Sequence, residues 1–152
     1  MPFIQILGYN VFDPNEVTPE FNADVGTKKG EKVDYAILKE GSPILLFECK
    51  AFNVDLAKEH ASQLYRYFSV TPVKVGVLTN GILYQFFTDL DKPNTMDKKP
   101  FLEVNLLDIK ESAIIELKKF TKSGFNIDDL EDVASELKYT NEIIVKNLLY
   151  YT

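Results

Sequence analysis

Three ionisable residues interrupt an otherwise apolar stretch, VDYAILKEGSPILLFECKAF at residues 33–52: Asp34, Glu48 and Lys50. An ionised side chain in such surroundings is costly unless a partner offsets it. Side chains alternate between the two faces of a strand. Glu48 and Lys50 therefore point one way, and Cys49 points the other, toward Tyr35, Ile37, Leu45 and Phe47. With the intervening turn centred on Gly41, Asp34 and Glu48 are equidistant from it and lie opposite one another. Directly opposed residues have Cβ atoms about 4.5–5.5 Å apart. Two carboxylates at that range repel unless a proton or a cation lies between them. A divalent cation resolves the conflict, because Mg²⁺ takes one or two carboxylates together with waters and phosphate oxygens. The backbone carbonyl of Cys49, between the two charged positions, could add a ligand. Lys50 beside the metal could bind a phosphate, or steer and deprotonate a water that the metal makes easier to ionise. The chemistry open to this set is phosphodiester hydrolysis. The competing reading is a solvated face with a local Lys–Glu pair worth under ~1 kcal/mol. Against it stand strands that are apolar on both faces, Ala36 and Leu46 as well as Tyr35 and Phe47. A register that sets acid against acid, and polar groups on the helix that follows, also oppose it.

The elements that position these residues follow from hydrophobic periodicity. Residues 33–38 read as a strand, 39–43 as a turn and 44–50 as a second strand. Asn53-Val54-Asp55 precede an amphipathic helix on which Leu56, His60, Gln63, Leu64 and Tyr67 share a face. Asp55 is its expected N-cap, and Pro72 follows its end. In KVGVLTNGILYQFF, residues 74–87, Asn80-Gly81 predicts a two-residue hairpin turn, since both turn positions favour φ > 0. Residues 1–12 read as the end of a helix that breaks at Gly8, and 13–32 as irregular or weakly paired. Residues 89–100 are a polar loop and 101–107 a short strand or entry segment. Helices are expected over about 108–122 and, after a break at Ser123-Gly124, over about 128–150. The expected organisation is an α/β core over residues 1–107 and a helical C-terminal extension over 108–152, packing on the core or on a partner.

Composition bounds the class. A chain of 152 residues suits one domain and can bury roughly 70% of its unfolded surface. Its 45% hydrophobic and 26% charged residues place it among globular rather than disordered chains. No apolar run approaches the ~18 residues of a membrane span, and MPFIQILGYN lacks the basic start of a signal peptide. The single cysteine excludes an internal disulfide and a Cys-rich zinc site. A cytoplasmic location is the expectation. The net charge of −6 argues against tight, autonomous binding of nucleic acid by the bare surface, although bound divalent cations change the local field.

Asp34 followed by Glu48-Cys49-Lys50 resembles the D…(D/E)xK signature of the PD-(D/E)xK nuclease superfamily, whose motif sits on adjacent strands followed by a helix. The segments FIQILGYNVFDP, EKVDYAIL, ILLFECK, QLYRYF and LTNGILYQFF, spread over residues 3 to about 107, resemble the N-terminal nuclease region of type I restriction enzyme R (HsdR) subunits. Gln63 and Tyr67 match the QxxxY motif of RecB-like and HsdR nucleases, and their spacing puts both on one helical face. The resemblance implies a restriction-endonuclease-like mixed sheet flanked by helices, Mg²⁺ (or Mn²⁺) as cofactor and double-stranded DNA as substrate. It implies other restriction-modification subunits or a missing helicase domain as partners, and no membrane. It also implies that Gln63 and Tyr67 support the site, Gln63 by hydrogen bonds to the lysine, the water or DNA. Without it, Tyr67 reads equally as a core residue and Gln63 as a surface or structural amide. Two departures stand out. Val33 precedes Asp34 where the nominal motif has proline. Relatives carry a leading helix whose glutamate joins the site, whereas this chain begins at Met1-Pro2-Phe3, so that helix is expected to be missing or clipped, which bears against full activity. Glu20, in EVTPEF, is the one stand-in, but a loop glutamate is more often solvated.

Other candidates carry less. GTKKG, residues 26–30, lacks the GxxxxGK[ST] form of a phosphate loop and reads as a turn whose lysines could touch DNA backbone. With no Walker-type stretch there is no ATPase motor, so the chain is expected to be an excised domain or a stand-alone relative. His60, the only histidine, reads as a core or boundary group one turn before Gln63. Cys49 is turned away from the acids and is not a nucleophile. The acidic run DDLEDVASE, residues 128–136, suits the first turns of a helix. The resulting expectation is Mg²⁺-dependent endonucleolytic cleavage of DNA. Asp34, Glu48 and the Cys49 carbonyl would hold the metal, Lys50 would act on the water or the scissile phosphate, and Gln63 and Tyr67 would buttress them. The alternative is a catalytically silent nuclease-like module for DNA binding or assembly. A weaker third reading is a nuclease aimed at RNA or invading DNA.

Overall fold

Short β-rich runs separated by turns fold into one six-stranded sheet whose spatial order follows sequence order; the computed structural model describes residues 2–22, 32–58 and 61–151. The strands are β1 (Val17–Phe21), β2 (Val33–Lys39), β3 (Ser42–Cys49), β4 (Val75–Thr79), β5 (Leu83–Phe87) and β6 (Leu102–Asn105). The helices are α1 (Pro2–Ile6), α2 (Ser62–Val70), α3 (Glu111–Leu117) and α4 (Leu130–Tyr151). Every neighbouring pair of strands is antiparallel except β3 and β4. A parallel pair requires a crossover, and α2 lies in it. The result is a mixed sheet flanked by helices, the α/β class expected from the sequence.

Two apolar layers enclose the sheet. On one face Ile37, Leu45, Phe47, Val77 and Phe86 pack with Phe3 and Ile4 of α1 and with Phe120, Leu130 and Ala134 of the C-terminal segment. On the other, Ala36, Leu46 and Leu78 pack with Leu64, Tyr67 and Phe68 of α2. β4 is covered on both sides and buried throughout, which explains why VGVLT shows no alternation. Gly76 lets α2 approach: a Cβ there would meet the Leu64 side chain at 3.2 Å.

The first hairpin differs from expectation in how it turns. Glu40 (φ 53°) and Gly41 (φ 79°) form a two-residue turn, with Lys39 opposite Ser42 and Leu38 opposite Pro43. The register then shifts, and Ile37 faces Leu45, Ala36 faces Leu46 and Tyr35 faces Phe47. Ile44 is thus an extra, unpaired residue, a β-bulge. Above the bulge the pairing is the one the sequence suggests, reached by a tighter turn plus one inserted residue.

Other expectations are also corrected. Residues 17–21, read as irregular or weakly paired, form β1 against β2; Pro19 obscured it, but an edge strand tolerates proline. The second hairpin turns at Gly81-Ile82 rather than Asn80-Gly81. Asn80 donates its N–H to the Leu83 carbonyl, Gly81 alone has positive φ (87°), and the Asn80 side chain accepts from the Ile82 and Leu83 N–H groups. This matches the turn class that places glycine first. The helix expected from Asp55 is broken. Asp55 caps a short 3₁₀ turn, Leu56–Lys58, by accepting the Ala57 N–H at 3.0 Å, and α2 begins afresh at Ser62. Past β6, α3 and a 3₁₀ turn at Lys118–Phe120 precede one long helix, α4.

The C-terminal segment is joined to the sheet. The Tyr9 hydroxyl donates to the Phe120 carbonyl at 3.0 Å, the Lys122 N–H donates to the Leu7 carbonyl at 2.9 Å, and the Lys122 ammonium meets Glu16 at 2.9 Å. Farther along α4, Tyr139, Ile144, Leu148 and Leu149 are exposed. Among the described residues no helix is long and apolar enough to cross a membrane.

Candidate functional site

Glu48 is an acid buried to 3% exposure, at a position where β3 passes beneath the start of α2. It lies on the α2 face of the sheet because the alternation that turns Leu45 and Phe47 to the other layer turns Leu46 and Glu48 to this one. Two groups hold it. The Lys50 ammonium lies 2.9 Å from Oε1, and the Leu64 N–H donates to Oε2 at 3.1 Å. The second bond explains a feature of α2: its N-cap, Ala61, offers no side-chain cap. A helix start leaves unsatisfied N–H donors carrying partial positive charge. Glu48 supplies from the sheet both the acceptor and the opposite charge. Lys50, just past β3, is anchored through its own N–H, which donates to the Thr79 carbonyl at 2.7 Å.

Asp34 sits one step before Tyr35, whose partner is Phe47, so the ladder sets it against Glu48. It is exposed, and its Oδ2 accepts the Cys49 N–H at 2.6 Å. The two acids thus stand next to one another past the last pair of the ladder but live differently, Glu48 buried and paired, Asp34 open to solvent on the Cys49 amide. The same ladder reveals Glu20. Pro19 faces Tyr35 and Phe21 faces Val33, which leaves Glu20 across from Asp34. Glu20 has φ 50°, uncommon for a residue other than glycine, and with Asp34, Tyr35 and Cys49 it lines a hollow of about 410 Å³. Lys32 lies 4.0 Å from its carboxylate. The sequence reading set Glu20 aside as a loop residue; recognising β1 was the signal that would have placed it beside Asp34.

Of the remaining candidates, Gln63 is half-buried in the first turn of α2, next to the Leu64 amide that binds Glu48. Tyr67, one turn on, is fully buried and meets Phe21 edge-on at 6.3 Å between ring centroids. Cys49 points into the opposite layer, and its thiol is pushed up to about 11 by burial and then by the charges of Asp34 and Glu48. That makes it a poor nucleophile at neutral pH. His60 and GTKKG lie outside the described residues. Among the described residues no three His, Cys, Asp or Glu side chains gather into a metal cage. The available donors are hard oxygens, the carboxylates of Asp34 and Glu48 beyond the end of the ladder, a set of the kind taken by an ion content with one or two carboxylates plus waters and phosphate, as Mg²⁺ is. Next to an ammonium, this arrangement can bind a phosphodiester and place a water against it.

Comparison with known proteins gives one result of weight. The family model described as type I restriction enzyme R protein N terminus matches residues 3–101, about two thirds of the chain. No curated protein and no solved structure matches it.

Proposed function

The chain belongs to the family of type I restriction enzyme R protein N-termini, and from that premise we propose that it is a metal-dependent endonuclease domain of the PD-(D/E)xK kind, hydrolysing phosphodiester bonds of double-stranded DNA. The observation that supports the reading is the end of the β2–β3 ladder, where the Tyr35–Phe47 pair leaves Asp34 and Glu48 as the next residue on each strand, with the Lys50 ammonium 2.9 Å from Glu48. Asp34, Glu48 and the backbone carbonyl of Cys49 would hold Mg²⁺ or Mn²⁺. When bound, such an ion makes water easier to ionise and stabilises charge on the phosphoryl oxygens. Lys50 orients the attacking water or contacts the scissile phosphate. Gln63 and Tyr67 fix the first turns of α2, whose Leu64 amide positions Glu48. Sequence recognition and translocation fall to other subunits or domains of the restriction-modification system, and the setting is cytoplasmic.

The test is plasmid nicking with Mg²⁺ or Mn²⁺, comparing wild type with Asp34→Asn and Lys50→Ala, alongside Mn²⁺ binding followed by electron paramagnetic resonance. Metal-dependent nicking lost in both variants, with Mn²⁺ binding weakened in Asp34→Asn, is the expected result. A second reading, a catalytically silent nuclease-like module for DNA binding or assembly, is favoured by the structural employment of Glu48, which caps α2 and pairs with Lys50. Equal background nicking by all three proteins would establish that reading over the first.

A further inference from the structure

The sheet face that carries Glu48 extends beyond it. Glu48 faces Leu78 on β4, and Leu78 faces Gln85 on β5, so Gln85 lies two strand spacings from Glu48, about 10 Å. α2 covers the Glu48 half of this face. Over the other half opens a cavity of about 700 Å³, floored by Leu78, Gln85, Phe87 and Met96 and walled by Ser62, Tyr65 and Arg66 of α2 and by Lys98. Its volume is that of a small-molecule site, and its far end begins at the same first turn of α2 that holds Glu48.

We propose that this cavity is a subsite for one nucleotide of an unpaired stretch of the DNA strand whose phosphodiester lies at Glu48 and Lys50; the inference rests on the nuclease reading. Three features select that occupant. The first is charge. In a chain of net −6 with a single arginine, Arg66 is that arginine, and it lines the cavity with Lys98, while Lys99 follows. Among the described lining residues the acid is Asp97, whose two oxygens accept the Leu90 and Asp91 N–H groups, both at 3.0 Å. The second is the π-surface. Tyr65 is 45% exposed on the wall, and an aromatic beside cations is how unpaired nucleic acid is gripped without regard to sequence. The third is the floor, which is apolar except for the Gln85 amide. That amide donates from Nε2 to Glu103 at 2.7 Å, which orients its carbonyl as an acceptor for a base edge. A base enters an apolar slot, its phosphate meets the cations, and the strand runs back along α2 to Lys50.

The experiment is anisotropy titration of the whole chain with a short fluorescein-labelled oligothymidylate in EDTA, where nothing is cleaved, using Tyr65→Ala, Arg66→Gln and Lys98→Gln with folding checked by circular dichroism. Amide signals are mapped in parallel with thymidine 5′-monophosphate. Tyr65→Ala and Arg66→Gln should each weaken binding roughly tenfold, Lys119→Ala should leave it unchanged, and the nucleotide should shift the amides of Ser62, Tyr65, Gln85 and Met96. Wild-type binding by the cavity variants, or nucleotide shifts confined to other regions, would overturn the subsite. Metal-dependent nicking that persists alongside that result would leave the nuclease reading standing. Absent nicking with the cavity shifts intact would remove the nuclease reading and keep a nucleotide site.

Discussion

Glu48 holds the start of α2 and neutralises Lys50 at once, so its removal should be felt by the fold before any reaction is considered. Glu48→Ala leaves the Leu64 N–H without its acceptor, a charge-assisted bond worth about 1.5–3 kcal/mol. It also takes the Glu48 carboxylate away from the Lys50 ammonium, and breaking a buried pair from one side costs about 3–5 kcal/mol. Lys50 is 27% exposed and can turn toward water, which discounts the second figure. Together these give a loss of about 3 kcal/mol for Glu48→Ala, out of a total of about 5–15 kcal/mol for a domain. Glu48→Gln keeps an acceptor for Leu64 and should lose about half as much. Lys50→Met with Glu48→Gln closes a double-mutant cycle, whose coupling should be at least about 0.5 kcal/mol. The assay is urea unfolding by circular dichroism at neutral pH. A loss below about 1 kcal/mol for Glu48→Ala, or a coupling indistinguishable from zero, would refute the idea that β3 caps α2 through this carboxylate. Asp34→Asn supplies the contrast. Asp34 is exposed, and asparagine can still accept the Cys49 N–H, so its cost should stay under about 0.5 kcal/mol. Activity lost in Asp34→Asn therefore reports on chemistry, whereas activity lost in Glu48→Ala reports on chemistry and fold together.

Two further outcomes test how the C-terminal segment is tied down. The Glu16 carboxyl is held below its ordinary value of 4.5 chiefly by its hydrogen bond to Lys122. Its contribution is complete above that value and is lost as the pH falls from there through the lower value held in the folded state, so Glu16→Gln should be less stable than wild type at pH ~7, with the gap closing as the pH drops below that lower value in thermal melts. Phe120 is 1% exposed and packs its ring at a tilt against Phe86, Phe101 and Phe125. Phe120→Ala should therefore cost about 3–5 kcal/mol, while a chain ended after residue 139, which sheds the exposed Ile144, Leu148 and Leu149, should keep the wild-type urea midpoint.

What could be read from the sequence was what periodicity encodes. The β2–β3 hairpin, the face shared by Glu48 and Lys50, the burial of Phe47 and Leu45, and the helices after residue 108 all follow from alternation or from spacings of three and four. The misses share one cause, a hydrogen bond that periodicity does not encode and that takes over a local signal. Asp55 has the form of an N-cap, but α2 is capped by Glu48, sixteen residues before Leu64. Asn80-Gly81 has the form of a turn, but Asn80 serves better as a side-chain cap, and the turn moves on by one residue. EVTPEF has the form of a loop because of Pro19, yet pairing on one side only is all that β1 needs. Without β1, Glu20 reads as a stand-in on a loop rather than as a strand residue across from Asp34.

The meeting of the two acids depends on one residue that carries no chemistry. If the register that pairs Leu38 with Pro43 ran on unbroken, Asp34 would face Phe47. Opposed residues share a sheet face, so Glu48 and Lys50 would then turn into the layer of Ile37 and Val77, and Cys49 would take their place. Ile44 prevents this by adding one residue to β3 and reversing everything beyond it. Pro43, which cannot donate to a ladder, precedes the first β3–β4 pair, Leu45 with Val75, so the bulge occupies the stretch where β3 has a neighbour on one side only. Past it, the repulsion that facing carboxylates must suffer is resolved by dividing their surroundings. Glu48 is buried against an ammonium and a helix start, and Asp34 stays in solvent on the Cys49 amide. In the proposed metal site, a cation would meet one carboxylate already fixed in place and one open to solvent, and Ile44 sets the register that brings the two strands' acids to the same end of the ladder.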